Sequence, residues 1–248
     1  MQTTVPSTST VLSSLLRADF TTQWRNRRAV ILIVLVPVVI LITWKGLIPK
    51  FGGIFVLANC ITIGLNAIGL MGYSNAIARD RDKGVFQRLR VAPLPSWSIM
   101  ISRLLVQLAM ILIVTTAIFI GGYYFDKISL GPSGYVLGYV VAIVGGSVYL
   151  ALGQAIVGLI RNPETVNAVT RLTYFIFIMV GMFGEISTAK EITEIVRWSP
   201  YGTVKRMLSA GMEPSTWNQD TTLYLLVTIG YTIVFTAMGI KWFKWNTK

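Results

Sequence analysis

The chain has 248 residues, 54% of them hydrophobic and only 13% charged, against about 25% charged in an ordinary soluble domain. That is a membrane composition, and with no histidine and one cysteine it excludes a His/Cys zinc centre, a histidine-based nucleophilic triad and an intramolecular disulfide. The formal charge of +12 is scattered between apolar segments without an interleaved aromatic platform, so no nucleic-acid partner is expected.

Residues 1–28 form a Ser/Thr-rich leader and a cationic segment. The first apolar run begins only after Arg25, Arg27 and Arg28 and is too long for a signal-peptide core, so no cleaved leader is expected. Leu12, Leu16, Phe20 and Trp24 recur every four residues, a drifting apolar stripe with Arg17, Arg25 and Arg28 off it. Asp19 and Gln23 interrupt it. An interfacial helix over about 10–28 fits this pattern.

Residues 29–248 read as one all-α integral membrane domain. Six segments are apolar enough to be candidate spans: 29–47, 51–77, 99–125, 135–160, 168–184 and 221–242. About 20 residues at roughly 1.5 Å each cover a hydrocarbon core about 30 Å thick, and lipid offers the backbone no hydrogen-bond partner, so each is expected to be helical. Pro37 within the first is tolerated, because neighbours can satisfy the freed carbonyl. The fifth is short if it must stop at Glu185.

Basic residues set the orientation. With both termini in the cytoplasm, most of the 22 basic residues lie inside, leaving Lys45, Lys50, Lys127, Lys190, Arg197, Lys205 and Arg206 outside. The chain is then a multi-pass protein of the cell (inner, cytoplasmic) membrane, its basic inner surface set against anionic lipid.

The span interiors carry no ionisable relay; Arg103, Arg171 and Glu185 sit near ends. Their polar groups are amides and hydroxyls. Asn59, Asn66 and Tyr73 fall at i, i+7 and i+14, one slowly drifting face of the second span. Helix–helix hydrogen bonding and lining of a translocation path both fit that face. Gly134 and Gly138 form a G-x-x-x-G that suits close helix packing. There is no paired intramembrane carboxylate, and no G-x-x-x-x-G-K-[ST] phosphate loop. The chain is expected to bind no cofactor and not to be an enzyme.

The densest charge lies between spans two and three, in the run RDRDKGVFQRLRVAPLP from Arg79 to Pro95. A helix over 78–91 would place Asp80 and Asp82 in its first turn, where the dipole favours anions. Val85, Phe86 and Leu89 would form an apolar edge, with Arg81, Lys83, Arg88 and Arg90 around the rest. Pro93 and Pro95 would stop it. An interfacial anchor and a rigid handle for a partner both fit.

This run, with Trp97 and Ser102-Arg103-Leu104-Leu105 after it, resembles the first cytoplasmic loop of type-2 ATP-binding-cassette exporter permeases, whose usual form is charged alternation, Gly-Thr-Leu-Glu-Arg-Leu, an Ala-Pro or Thr-Pro, and Gly-Lys/Arg-Leu-Leu. Here Gln87 stands where an acid is common, and Val85-Phe86 replaces Thr-Leu. The stretch Trp198-Ser199-Pro200-Tyr201-Gly202-Thr203-Val204 resembles the family's Asn-Pro-Leu-Thr-Tyr-like segment, with Ser199 for Asn.

The resemblance implies a fold of six transmembrane helices with short re-entrant helices before the last span, within an outer loop of about 187–217. It implies an ATPase-coupling helix at about 79–91, with contacts from Asp80, Asp82, Gly84, Val85, Phe86, Gln87, Arg88, Leu89 and Arg90, and an outer gate at Pro200, Tyr201 and Gly202. Expected partners are two copies of an ATP-binding-cassette ATPase subunit, which would bind the ATP and Mg, and a second permease half, identical or homologous. The expected cargo is amphipathic, drug-like or lipid-linked. An ion-coupled carrier or channel, and a non-transporting assembly or sensor subunit, are the rival classes.

Overall fold

The computed structural model describes residues 8–91, 96–186 and 189–243, and among them the secondary structure is helical throughout. The expected Pro93 and Pro95 stop lies outside these residues, as do the side chains of Leu89 and Arg90 within their helix.

Helix α1 spans Thr8–Arg25 and lies along α7, and α2 spans Arg27–Thr43. A 3-10 turn and the short α3 (Ile48–Phe51) lead to Gly52, whose φ of +88° turns the chain into α4, Gly53–Asn66. The second rod continues without a break from α4 through a wider π-type stretch, Ala67–Tyr73, into α5, Ser74–Asp82. After α6 (Val85–Val91) come α7 (Ser96–Asp126), α8 (Pro132–Leu159), α9 (Pro163–Ile186), α10 (Lys190–Trp198), α11 (Pro200–Met212) and α12 (Gln219–Trp242). Several starts are dictated locally. Proline stands at the first helical position of α8, α9 and α11, while side-chain oxygens of Asn162, Ser199 and Asn218 accept the first free amides of α9, α11 and α12.

Five helical stretches among the described residues are long and apolar enough to cross a membrane: Val30–Phe51, Gly53–Asp82, Ser98–Asp126, Pro132–Leu159 and Gln219–Trp242. The expected fifth crossing at 168–184 falls in α9, a 24-residue helix. Its first half carries Glu164, Asn167 and Arg171, so its described part is not among the five. The second rod and α8 are the most deeply buried of them, whereas the first and last present mostly outward-facing surface.

The two central rods touch backbone to backbone. A Cβ added at Gly69 would stand 2.4 Å from the carbonyl carbon of Tyr149, and one at Gly153 would stand 2.5 Å from the carbonyl oxygen of Gly69. Only glycine fits at either position. The π-type stretch lies here, and the Ser74 hydroxyl supplies the hydrogen bonds it leaves wanting, donating to the carbonyls of Gly69 at 2.7 Å and Leu70 at 2.9 Å. Gly134 and Gly138 also serve packing: the first admits the carbonyl of Met212, the second the ring of Phe119.

On α1, Phe20 and Trp24 of the apolar stripe are exposed, and Val11, Leu15 and Asp19 point inward. The segment 200–212 forms α11 and is buried. Tyr201, Val204, Met207 and Leu208 are completely buried, with α11 wedged among α4, α8 and α12. On α10 Val196 is buried, whereas Ile192 and Ile195 are exposed.

Gly153→Leu is expected to lower stability by about 1–3 kcal/mol through overpacking. Gly230→Ala, where an added methyl meets nothing within 4 Å, is expected to be neutral or stabilising by up to about 1 kcal/mol. Thermal unfolding of the two purified variants measures the difference.

Candidate coupling node and buried polar ties

At one end of the bundle the second rod runs out as a charged tip. The chain does not form the single helix expected over 78–91. Lys83 N–H closes back on Arg79 O and Gly84 N–H on Arg81 O, both at 3.0 Å, and Gly84 takes φ +65° before α6 restarts at Val85. This is the left-handed glycine stop of a helix C-terminus. Asp80 and Asp82 therefore sit in a last turn, where the dipole disfavours carboxylates. Asp80 is held instead by Arg103 of α7, Nη1 to Oδ2 at 2.6 Å, with both side chains largely buried.

Arg81 does not decorate the surface. It is 3% exposed, and its guanidinium donates to the carbonyls of Val157 at 2.7 Å, Ile160 at 2.6 Å and Arg161 at 2.9 Å. Val157 lies in the last turn of α8, and Ile160 and Arg161 directly follow it, where no further helical turn supplies donors. Charge-assisted bonds of this kind are worth about 1.5–3 kcal/mol each. Arg81 thus welds the end of the second rod to the end of α8.

Phe86 is likewise turned inward, 1% exposed, with its ring edge-on to Phe243 at 5.9 Å and under the Arg103 guanidinium at 4.9 Å. Asp82, Lys83, Gln87 and Arg88 remain exposed, Val85 and Gly84 half so. Arg88 also donates back to the Lys83 carbonyl at 3.0 Å, which stiffens the turn. The N-terminal helix joins the same node, since Ser102 Oγ donates to Asp19 Oδ2 at 2.5 Å. Burial lifts the Asp19 carboxyl above the usual carboxylate range, with the Ser102 hydrogen bond and the Arg103 charge pulling the other way.

The amide face of the second rod points into the protein. Asn59, Asn66 and Tyr73 are all buried. Tyr201 O–H donates to Asn59 Oδ1 at 3.1 Å, Asn66 Nδ2 donates to the Tyr174 carbonyl at 3.4 Å, and Tyr73 O–H donates to Gln154 Oε1 at 2.9 Å. Each ties the rod to a different helix: α11, α9 and α8. The Oδ1 of Asn66 is buried without a hydrogen-bond partner.

At the opposite end, Pro200, Tyr201 and Gly202 form the elbow between α10 and α11. Gly202 N–H donates to Ser199 Oγ at 3.1 Å, and a Cβ at Gly202 would collide with the Val196 carbonyl. The Tyr201 ring lies on Gly181 of α9, where no larger residue would leave room. Tyr149 O–H donates to the Pro200 carbonyl at 3.4 Å. This elbow is locked onto α4, α8 and α9.

The family model described as ABC-2 family transporter protein matches residues 45–241. The chain belongs to that family. It is also similar to the "Putative transport permease YvfS" of Bacillus subtilis (strain 168), 24% identical over 168 residues, which cover 66% of either chain; it thus spans about two thirds of that relative's length. The charged tip and the elbow of this ABC-2 permease both lie within the matched residues.

The flank of α11 that faces Phe55 adds a feature that the sequence did not signal. Lys205 is 4% exposed, and its ammonium sits 4.6 Å from the centre of the Phe55 ring. Desolvation, aided by neighbouring Arg206, pushes its pKa from an ordinary lysine value down to about 7. The ring contributes a cation–π contact worth about 0.5–2 kcal/mol.

Two measurements follow. A double-mutant cycle of Asp80→Asn and Arg103→Met is expected to give a coupling of about 1 kcal/mol, read from denaturation midpoints. For Lys205, the unfolded chain keeps a proton that the folded chain lacks between about pH 7 and pH 10.5. Stability contributed by this group therefore rises with pH across that window, and its cost is full below pH 7. Thermal unfolding in phosphate-free buffer should show that slope, and Lys205→Met should flatten it.

Proposed function

We propose that this ABC-2 permease is the membrane-spanning half of an exporter driven by a separate ATP-binding-cassette subunit. Two ATPase copies bind ATP and Mg, a second permease half, identical or homologous, completes the path, and both chain ends lie on the cytoplasmic side of the cell membrane. In this reading α9 is the sixth crossing, and α10 and α11 are re-entrant helices on the outer side. The exposed Phe20 and Trp24, next to Arg25 and Arg27, suit α1 to the headgroup layer.

The observation that carries the proposal is the charged tip. Asp82, Lys83, Gln87 and Arg88 are exposed at the surface, while Asp80, Arg81 and Phe86 directly behind them are clamped to α7 and α8. A push on the exposed residues enters the bundle through three hard contacts, with no slack linker to absorb it. Closure of the ATPases on ATP would displace this tip and shift the two permease halves against each other. Leu89 and Arg90 extend the proposed contact along α6.

A polar cavity of about 300 Å³ opens beside this end, lined among others by Asn26, Asn75, Arg79, Asn167 and Arg171 and by no carboxylate. It suits the head of an amphipathic or lipid-linked substrate, whose apolar part would remain against lipid. Asn59, Asn66 and Tyr73 then serve as ties between helices, and the Pro200–Gly202 elbow as the hinge of the outer gate.

Contact and transmission separate experimentally. Arg88→Glu with Gln87→Ala should reduce co-purification of the cognate ATPase subunit about tenfold while leaving the permease's thermal stability unchanged. Phe86→Ala should keep the ATPase bound but uncouple ATP hydrolysis from efflux in proteoliposomes. Efflux that persists without any ATPase subunit would overturn the proposal and favour the ion-coupled carrier.

A further inference from the structure

The groove beside the charged tip is built from a pattern that occurs twice. Asn75-Ala76-Ile77-Ala78-Arg79 lies near the end of the second rod and Asn167-Ala168-Val169-Thr170-Arg171 lies in α9, each an Asn-Ala-x-x-Arg. Positions four apart share one face of a helix, and both asparagines and both arginines line a single cavity of about 300 Å³. Helix α5 packs on α9, and the two run antiparallel. Arg81 reaches the Ile160 and Arg161 carbonyls just before α9 begins, and Asn66, deeper in the rod, reaches the Tyr174 carbonyl. The two asparagines therefore stand at about one level, with Arg79 about 6 Å towards the tip and Arg171 about 6 Å away from it, at roughly 1.5 Å per residue.

The charge in this groove is unbalanced. No carboxylate lines it, and neither Arg79 nor Arg171 has one within salt-bridge distance among the described residues. Asn75 Nδ2 donates to the Met71 carbonyl at 2.9 Å, which fixes the amide and leaves its second hydrogen to give. Asn26, at the junction of α1 with α2, also lines the groove, and its side chain is not spent on capping α2. Two cations around a belt of amides form a lining for an oxyanion, and arginine forks take phosphate oxygens in pairs. Apolar surface continues from the groove away from the tip. Leu32 of α2 lines it, and Leu32, Leu35 and, on α9, Leu172, Phe175 and Ile176 are turned outward. A molecule with a phosphate head and an apolar tail meets both parts of this surface at once.

We propose that the groove formed by α2, the second rod and α9 binds the phosphate-type head of an amphiphile, held by Arg79 at the end near the tip, by Arg171 at the other end and by the amides of Asn75 and Asn167 between them. A volume of about 300 Å³ lies at the lower end of ligand-pocket sizes, enough for a head but not for a whole lipid, whose tail runs along the apolar faces of α2 and α9. Basic pockets between membrane helices hold acidic lipid heads in this manner. The site deepens the export reading and rests on it only for naming the bound molecule as cargo, because binding itself requires no ATPase.

The test uses the full-length permease alone in neutral detergent, with thermal unfolding followed by tryptophan fluorescence at matched ionic strength. Three probes are titrated separately: dihexanoyl-phosphatidic acid, inorganic phosphate, and dihexanoylglycerol, which has the tails without the phosphate. A saturable rise in Tm is expected with the phosphatidic acid, at a half-saturating concentration at least about tenfold below that of inorganic phosphate, and none with dihexanoylglycerol. Arg79→Gln and Arg171→Gln should each raise that concentration about tenfold, as loss of a charge-assisted bond requires. Both arginines are exposed, so the variants should fold. Arg17→Gln, which removes the same charge from an exposed position of α1 outside the groove, should leave it unchanged. An equal response to inorganic phosphate overturns the amphiphile and identifies a free oxyanion. No rise with the phosphatidic acid, an equal rise with dihexanoylglycerol, or titrations unchanged in both groove variants overturns the site. Efflux assays with the cognate ATPase subunit keep the two readings apart: ATP-driven efflux by a permease that binds no phosphatidic acid overturns the site alone, and binding without ATP-driven efflux supports the site and overturns the export reading alone.

Discussion

A helix that ends inside a protein leaves its last carbonyls without donors, and in a chain built for lipid there is little water to supply them. In this ABC-2 permease α8 ends at a partly exposed corner, with Leu159 outward and Val157 buried, and one guanidinium answers for its end. Arg81 reaches across from the second rod and donates to three carbonyls at and just past the end of α8. The arrangement costs desolvation of a charge, which the bonds offset only because the geometry is complete. Its consequence is mechanical: the two most buried rods meet backbone to backbone at Gly69 and Gly153 and are pinned again at their common end.

The remaining polar groups of the second rod follow the same constraint. In hydrocarbon an unsatisfied amide or hydroxyl is expensive, so Asn59, Asn66 and Tyr73 each find a partner on a different helix. Individually such bonds contribute about 0.6 kcal/mol, less than the packing around them. Their value lies in direction, because a slip of one residue would strand them all. The Asn66 oxygen alone has no hydrogen-bond partner, which marks the contact with α9 as less fully satisfied than those with α8 and α11.

Much of this was legible in the sequence, and what was not fails for identifiable reasons. Long apolar runs betray helices because nothing else survives in lipid, and the amide face of the second rod shows as a seven-residue spacing. The helix end at Asp82 was also written there: glycine directly after a charged last turn is the ordinary stop. Mixed charge on both sides of Gly84 disguised it as one amphipathic helix. Arg81 was misplaced because composition cannot distinguish a basic residue that faces solvent from one that caps a distant helix. Only the topology brings the end of α8 to it. Lys205 was hidden similarly, since a lysine beside an arginine in a polar-looking segment gives no hint of burial. For α1 the four-residue spacing leaves Phe20 and Trp24 outward, while the neighbouring Val11 and Leu15 pack on the protein, a division that the stripe alone does not reveal.

The stop at Gly84 carries a further implication for how motion would travel. Had 78–91 been one helix continuous with the second rod, a lateral push on its tip would have levered the whole rod about its far end, where Tyr201 holds Asn59. With the break, α6 is a separate short lever whose fulcrum is Phe86, seated between Arg103 and Phe243. Displacement of the exposed Gln87 and Arg88 then turns first into rotation about that ring. Arg103 is one element through which the rotation would pass, because it touches Phe86 by its face and Asp80 by its charge, and it belongs to α7. Ser102, its neighbour, holds Asp19 of α1. Helix α1, α7 and the charged tip therefore meet at two adjacent residues of α7, Ser102 and Arg103, which couples displacement of any one to the other two.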